Sequence, residues 1–595
     1  MPLFKKKKSK KKEELPDTFS TLGSKSKEDR ASSAKGGSSF TPLPQFGQLN
    51  AETKQSKSKS STATPKRDTS QQLARSAKKK DVRVFSTGQG SQTIESEERS
   101  WPEILADVSN WTIFPFTIGM EMELIIADDE GNYVEGEEAA YRMGEIVKEA
   151  KTIMNQLINY EINDPAFPPM PEYIRGKLAQ MAYTAEDEEK GLTMNLSYKN
   201  ELTQEHTEIQ VFGRDGNITA TTYILELVTP ICYYAEELAY WAGTLFQLAK
   251  RTLPRDLNII ASALNPAVKE YTRGLSHGDH NHIGGFANDV ERAQCYDMIR
   301  NFIPHIIGLS VNSPIINNEP TDLIKTRTDR KTGKVRYTAP SCVRSLRLKY
   351  NTTMLSGNDP LHYIPYLRNV DEEHKEYMLK VVQKMDWYDA RYQDVFPLTD
   401  FGTIEVRIMD AQLSICRRIG LAMLNLALCY KARKLLQNDR WVPDADSKNI
   451  TFNRKGAIER GLISVWKGED IDRNSLAQYD PDFADYYFGP DGKPHRFLFQ
   501  AVQGMFHYLK DELKELGFLY SPFMKPLLQS VFGDVTYADV PMTEAEYQLS
   551  LYDYKMKNGE DPNVLRDLIY FTLEYSKDPL QNPLTGDLTL PESMR

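Results

Sequence analysis

The chain has 595 residues, with 74 Lys+Arg against 83 Asp+Glu and a formal net charge of −9 at pH 7. That charge is unevenly placed: Met1 to Arg83 carries +13 and the rest of the chain −22, so a cationic tail is joined to an acidic body. With 40% hydrophobic and 26% charged residues the composition excludes collagen and long coiled coil, and the longest nearly apolar run, Ile419 to Tyr430, falls short of the roughly 20 residues of a spanning helix.

The start, Met1-Pro-Leu-Phe-Lys5, is basic, but Ser9-Lys-Lys-Lys-Glu13 follows where a secretory leader would turn apolar, so secretion is not expected. The five cysteines (Cys232, Cys295, Cys342, Cys416, Cys429) are widely spaced and contain no Cys-x-x-Cys pair, which points to a reducing cytoplasm. Residues 1–99 are rich in Ser, Lys, Gln and Thr without apolar periodicity. They are expected to be a disordered tail, solubilising or able to touch an acidic partner, ahead of a folded catalytic region 100–595.

Folded sequence begins near Trp101. From Phe116 to Ile126 the pattern has period two, placing Ile118, Met120, Met122 and Leu124 on one face and Gly119, Glu121 and Glu123 on the other. A helix is expected over Glu137 to Tyr160, ended by the prolines from Pro165 to Pro171. Further strands are expected at His206–Val211, Ile224–Thr229, Asp279–Gly284 and Gly402–Met409. Helices are expected at Ala235–Arg251, Val290–Asn312, Glu372–Trp387 and Leu413–Gln437. The order predicts an α+β fold in which helices cover the apolar face of a largely antiparallel sheet.

If those strands pair, the polar face displays Glu121, Glu123, Glu226 and Glu405 with His280, His282 and Arg407, joined by Glu208 and Arg347. A solvated sheet face is the plain alternative, but several carboxylates together raise one another's pKa unless a cation neutralises them. Carboxylate oxygens suit Mg²⁺ or Mn²⁺, and Mg²⁺ brings a nucleotide phosphate with it. No Gly-x-x-x-x-Gly-Lys-Ser/Thr loop is present, so ATP would be held by metal, strands and Arg327, Arg347 or Arg407. His277, His280 and His282 keep a metal-dependent hydrolase open as an alternative, although there is no His-Glu-x-x-His.

Six segments then resemble, in order, the type 2 glutamate-cysteine ligases and related carboxylate-amine ligases. They are Gly119-Met-Glu121-Met-Glu123; Leu225-Glu226-Leu-Val-Thr229; His280-Asn-His282-Ile-Gly284; Pro304 through Leu309-Ser-Val-Asn-Ser313-Pro314 with Arg327 beyond; Phe401-Gly-Thr403-Ile-Glu405-Val-Arg407-Ile-Met-Asp410; and Asn453-Arg454 through Arg460-Gly-Leu462. The resemblance implies a glutamine synthetase-like fold, an antiparallel sheet funnel with helices on its outer face. It implies an ATP-dependent ligase that activates a carboxylate, the γ-carboxylate of glutamate first, as an acyl phosphate and couples it to an amine such as cysteine, as in glutathione biosynthesis. Carried over, Glu121, Glu123, Glu226, His282 and Glu405 would hold Mg²⁺, or Mn²⁺. Arg407, Arg327 and Glu405 would act on the transferring phosphoryl group or substrate carboxylate, and Glu121, Arg347 and Arg407 would contact the nucleotide. A catalytically inactive binding protein of the same fold is the remaining alternative, and a homo-oligomer is compatible with all of these readings. The chain departs from the pattern at Phe396-Pro397, where many relatives have Arg-Pro, and in the charged insertion Thr328 to Arg336.

Overall fold

A single strand, β1 (Ile113–Ala127), takes four partners because its 15 residues run the length of the sheet. Its burial alternates along the strand, with Phe116, Ile118, Met120, Met122 and Leu124 inward. The computed structural model describes residues 99–133, 142–183 in part, 193–199, 206–212, 217–220, 224–269, 276–320, 326–328, 335–337, 343–351, 394–397, 399, 402–443, 445, 447–468, 481–488 and nearly all of 495–594. Of the tail expected over residues 1–99, residues 1–98 lie outside them, as does the expected helix Glu372–Trp387. Residues 94–595 form one compact unit.

After β1 come β2 (Thr193–Lys199), β3 (His206–Phe212), β4 (Asn217–Ala220), β5 (Ile224–Val228), β6 (Cys232–Tyr234), β7 (Asn258–Ile260) and β8 (Gly278–Gly284). The pairs β9/β10 (Ile315–Ile316, Glu319–Pro320) and β11/β12 (Thr326–Thr328, Val335–Tyr337) are separate two-stranded sheets, and β13 (Val395–Phe396) and β14 (Ile404–Asp410) return to the main one. The ten-stranded sheet runs β13-β14-β8-β1-β5-β4-β2-β3, with β6 and β7 also on β1. Ile118 faces Ile283 of β8 and Cys232 of β6, while Ile125 faces Ile224 of β5 and Ile260 of β7, so β8 and β7 lie along one side of β1 and β6 and β5 along the other. All pairings are antiparallel except a single β2–β4 contact at Leu196↔Ala220. The expected α+β arrangement, an antiparallel sheet with packed helices, is the one found.

Helices Ala235–Thr252 and Ile415–Gln437 pack on β1 and on each other, and Asp289–Asn301 packs on the second of them. Met120, Met122 and Leu124 are 0–1% exposed beneath this layer, each side chain contributing about 1.5–3 kcal/mol by burial. Ser414 caps Ile415–Gln437 by accepting from the Arg417 N–H, and Asn288 caps Asp289–Asn301 by accepting from the Glu291 N–H. The expected helix Val290–Asn312 is in fact two, Asp289–Asn301 and Ile303–Ser310, broken at Phe302. Pro304 is the reason: it has no N–H to continue the ladder and sits instead in the first turn of the second helix. Over residues 137–160 the described positions are helical, as expected.

Candidate active site

Register builds the site. Glu121 lies opposite His280, Glu123 opposite Glu226, and Glu405 opposite His282, so strands β5, β1, β8 and β14 bring four carboxylates and two imidazoles to the face away from the helices. Strand β14 contains a bulge: Val406 pairs with Asn281 but Met409 with Asp279, three steps against two. The extra residue interrupts the ladder beside His280, next to Arg407, which shares the Glu405 face by alternation.

The His280 Nδ1 is 3.0 Å from Glu121 Oε2 and 3.8 Å from Glu405 Oε1. The His282 Nε2 is 3.1 Å from Glu121 Oε1 and 3.8 Å from Glu405 Oε1. Arg407 pairs with Glu405. Donor atoms of Glu121, His280 and Glu405 all fall within 4.8 Å of one another, and the buried Nε2 atom of His280 has no hydrogen-bond partner. Second contacts fix the rings and strands. His282 Nδ1 meets Thr403 Oγ1 at 3.1 Å, and Thr403 in turn meets Thr399 Oγ1 at 2.7 Å. The Gly278 N–H donates to Glu123 Oε2 at 2.7 Å. Asp279, a buried residue of β8 on the side opposite His280, pairs with Arg418 and accepts from the Gln412 N–H at 2.9 Å.

Electrostatics separate the carboxylates. Burial works to raise Glu121, but hydrogen bonds from His280 and His282 outweigh it and hold this carboxyl well below its usual range. Glu226 goes the other way: burial, then repulsion from Glu121 and Glu123, lifts it well above the usual range against the pull of Arg407. Burial would lower His282, yet Glu121 keeps it raised. The chain's own cations therefore neutralise one part of the cluster and leave Glu226 short. A divalent cation fits this donor set, supplying the missing charge and giving the orphaned His280 Nε2 a partner.

Of the residues expected from sequence, Glu121, Glu405 and His282 converge, with Glu123 and Glu226 directly paired beside them. His280, which the resemblance did not place among the ligands, is in the tightest donor group. Its i, i+2 spacing from His282 was the available signal, but the register opposite Glu121 is a property of the paired sheet. His277 does not join that group; its ring is fully buried, without hydrogen-bond partners, and burial pushes it down to about 4. Arg347 is 7% exposed, and its guanidinium donates to the main-chain carbonyls of Arg407 at 3.0 Å and Met409 at 3.2 Å. Arg327 lies on β11 opposite Arg336, and its side chain, like that of Glu208, is outside the described residues.

Residues of the strongest motifs also build the support. Asp410 accepts from the Asn312 N–H at 2.8 Å, Ser313 Oγ at 3.0 Å and Ser345 Oγ at 2.9 Å, clasping the Ser-x-Asn-Ser-Pro segment to the end of β14. Arg454 makes a two-pronged pair with Asp394 at 2.6 and 2.7 Å, and the Asp394 carbonyl accepts from the Arg407 N–H at 3.0 Å.

Residues 277–477 match the profile of the family described as Glutamate-cysteine ligase family 2 (GCS2). Bacterial proteins provisionally named glutamate–cysteine ligase 2 are similar. That of Ralstonia pickettii is 26% identical over 210 residues, 34% of this chain and 47% of the relative. That of Paraburkholderia phytofirmans is 31% identical over 194 residues, 32% of this chain and 44% of the relative. The chain thus spans about half the length of the curated relatives it matches. Among solved structures, the glutamate–cysteine ligase of Francisella tularensis in complex with AMP aligns with a TM-score of 0.39 at 10% identity, covering 81% of this chain and 91% of that one. The likeness to glutamate-cysteine ligase family 2 read from the ordered motifs therefore holds, and it is carried by residues 277–477, the stretch that supplies β8, β14 and the clasp between them.

Proposed function

We propose that this chain is an ATP- and Mg²⁺-dependent carboxylate-amine ligase. It phosphorylates a carboxylate, the γ-carboxylate of glutamate first, and lets an amine such as cysteine displace phosphate to form an amide. The observation that carries this reading is the cluster Glu121, Glu405, His280 and His282 with Glu123, Glu226 and Arg407 on one sheet face. Phosphoryl transfer needs charge neutralisation and positioning, and this face offers both without a nucleophilic side chain. Bound at Glu121, His280 and Glu405, with His282, Glu123 and Glu226 beside them, Mg²⁺ would supply the positive charge that draws off electron density from the transferring phosphoryl group.

The rest falls to the chain's own residues. Arg407, fixed by Glu405 and still partly open to solvent, presents a guanidinium to the phosphoryl oxygens or the substrate carboxylate. Thr403 orients His282, and Gly278 orients Glu123. In the first half-reaction a carboxylate oxygen attacks the γ-phosphorus and ADP leaves. In the second the amine attacks the acyl carbon, loses a proton, and phosphate leaves with the bridging oxygen. The location of His277 outside the donor group weighs against a three-histidine hydrolase.

The test is turnover by the purified full chain with ATP, Mg²⁺, glutamate and a panel of amines. Phosphate release that needs both glutamate and an amine, and that falls more than about 100-fold in Glu121→Gln and Glu405→Gln, supports the proposal; groups merely supporting a metal already cost about 10- to 100-fold. Hydrolysis that needs no ATP and returns with Zn²⁺ after chelation would favour a hydrolase. Nucleotide binding without turnover would favour an inactive binding protein.

A further inference from the structure

Arg347 stands out among the buried cations because it touches the site's framework on two strands. From its helix, Leu346–Asn351, its guanidinium reaches the β14 bulge and donates to two of its carbonyls, Arg407 O at 3.0 Å and Met409 O at 3.2 Å. Nη1 lies 3.7 Å from Asp410, the acceptor of the clasp, and the Arg347 N–H reaches Ser313 Oγ at 3.4 Å. On β8 the same guanidinium occupies the space where residue 278 would carry a side chain. A Cβ built on Gly278 would lie 2.2 Å from Arg347 Nη2 and 3.0 Å from Met409 O. Gly278 is also the residue whose N–H holds Glu123. With each terminal nitrogen donating to a main-chain carbonyl and 7% of the residue exposed, this guanidinium is engaged with the strand rather than with solvent.

We propose that Arg347 is a positioning residue: its guanidinium, seated in the hollow left by Gly278, locks the β14 bulge in the form that presents Glu405 and Arg407 to the site. The proposal rests on the ligase reading for what those residues do, but the geometry it asserts is independent of turnover. A bulge leaves ladder groups without partners and gives the strand another way to settle. A planar, always-charged fork that binds two carbonyls at once removes that freedom, which a lysine ammonium does not reproduce. Gly278 is required because any side chain there displaces the fork.

The experiment compares Arg347→Ala, Arg347→Lys and Gly278→Ala with the wild-type chain. It uses amide hydrogen exchange over residues 404–410, Mn²⁺ titration followed by electron paramagnetic resonance, and separate kcat and KM for ATP. The expected result is faster exchange over 404–410, Mn²⁺ affinity weakened about 10- to 100-fold, and kcat reduced by a similar factor with KM for ATP little changed. Added guanidinium ion should recover part of this in Arg347→Ala and none in Gly278→Ala. Unchanged exchange over 404–410 with KM for ATP raised would make Arg347 a nucleotide contact and overturn the proposal, as would a Gly278→Ala protein that behaves as wild type. Should Arg347→Ala fail to fold, Gly278→Ala, which keeps the charge in the chain, carries the same comparison. Wild-type Mn²⁺ binding without ligase turnover would sink the ligase reading while leaving the exchange and Mn²⁺ comparisons to decide this one.

Discussion

Two contrasting settings for histidine occur among the described residues. His280 and His282 face carboxylates across a sheet, whereas His305 is fully buried with Nε2 held at 2.6 Å by the Tyr486 hydroxyl, and burial pushes it down to about 3 from 6.5. Below pH 6.5 the unfolded chain takes up a proton that folded His305 refuses. Stability is therefore expected to fall as pH drops from 6.5 toward 3, by at most about 1.4 kcal/mol per pH unit from this group. His305→Asn should flatten that acid limb of the unfolding midpoint against pH; an unchanged slope would mean that other groups cause it. The period-two pattern made the polar face of β1 and β8 legible at this scale, because alternation fixes which side chains share a face. It did not reveal that His280 rather than His282 would sit opposite Glu121, since pairing register depends on two strands at once.

At the scale of elements, a buried ion pair ties together segments far apart in the chain. Arg344 and Glu546 are 0% and 1% exposed and pair at 2.6 Å, and Glu546 also caps its own helix by accepting from the Thr543 N–H at 3.0 Å. Removing one partner leaves a buried charge, so Arg344→Leu should cost about 3–5 kcal/mol in denaturant unfolding. The double variant Arg344→Leu with Glu546→Gln should recover much of it. Equal losses in the single and double variants would contradict an energetic coupling between the two. Long helices with Ser or Asn caps were readable from sequence, whereas the break at Phe302 shows a proline overriding an apolar run. The β14 bulge left only a faint local trace: alternation holds from Ile404 to Ile408 and breaks at Ile408-Met409, and the partner's spacing is what discloses the extra residue.

For the whole molecule, the split between a +13 tail and a −22 body takes on a chemical meaning. Part of the body's acidity is gathered at Glu121, Glu123, Glu226 and Glu405, where on the proposed reading a divalent cation would neutralise it. None of the described helices is long and apolar enough to cross a membrane. Deleting residues 1–95 is expected to leave the unfolding midpoint and the amine-dependent turnover unchanged, and a loss of turnover on deletion would show that the tail takes part in the reaction. The ordered motifs announced the overall α+β plan because they contain the strands themselves. Yet several motif residues, Asn312, Ser313, Asp410 and Arg454, turn out to clasp and brace β14, a distinction between chemistry and support that a one-dimensional pattern does not encode.

The central claim, activation of a carboxylate as an acyl phosphate on this face, is tested most directly with glutamate labelled by ¹⁸O in its γ-carboxylate, incubated with ATP, Mg²⁺ and the accepted amine. The bridging oxygen must leave with phosphate, so each phosphate released is predicted to carry one ¹⁸O from glutamate. Phosphate free of label, or labelled only when the solvent water is, would contradict the account.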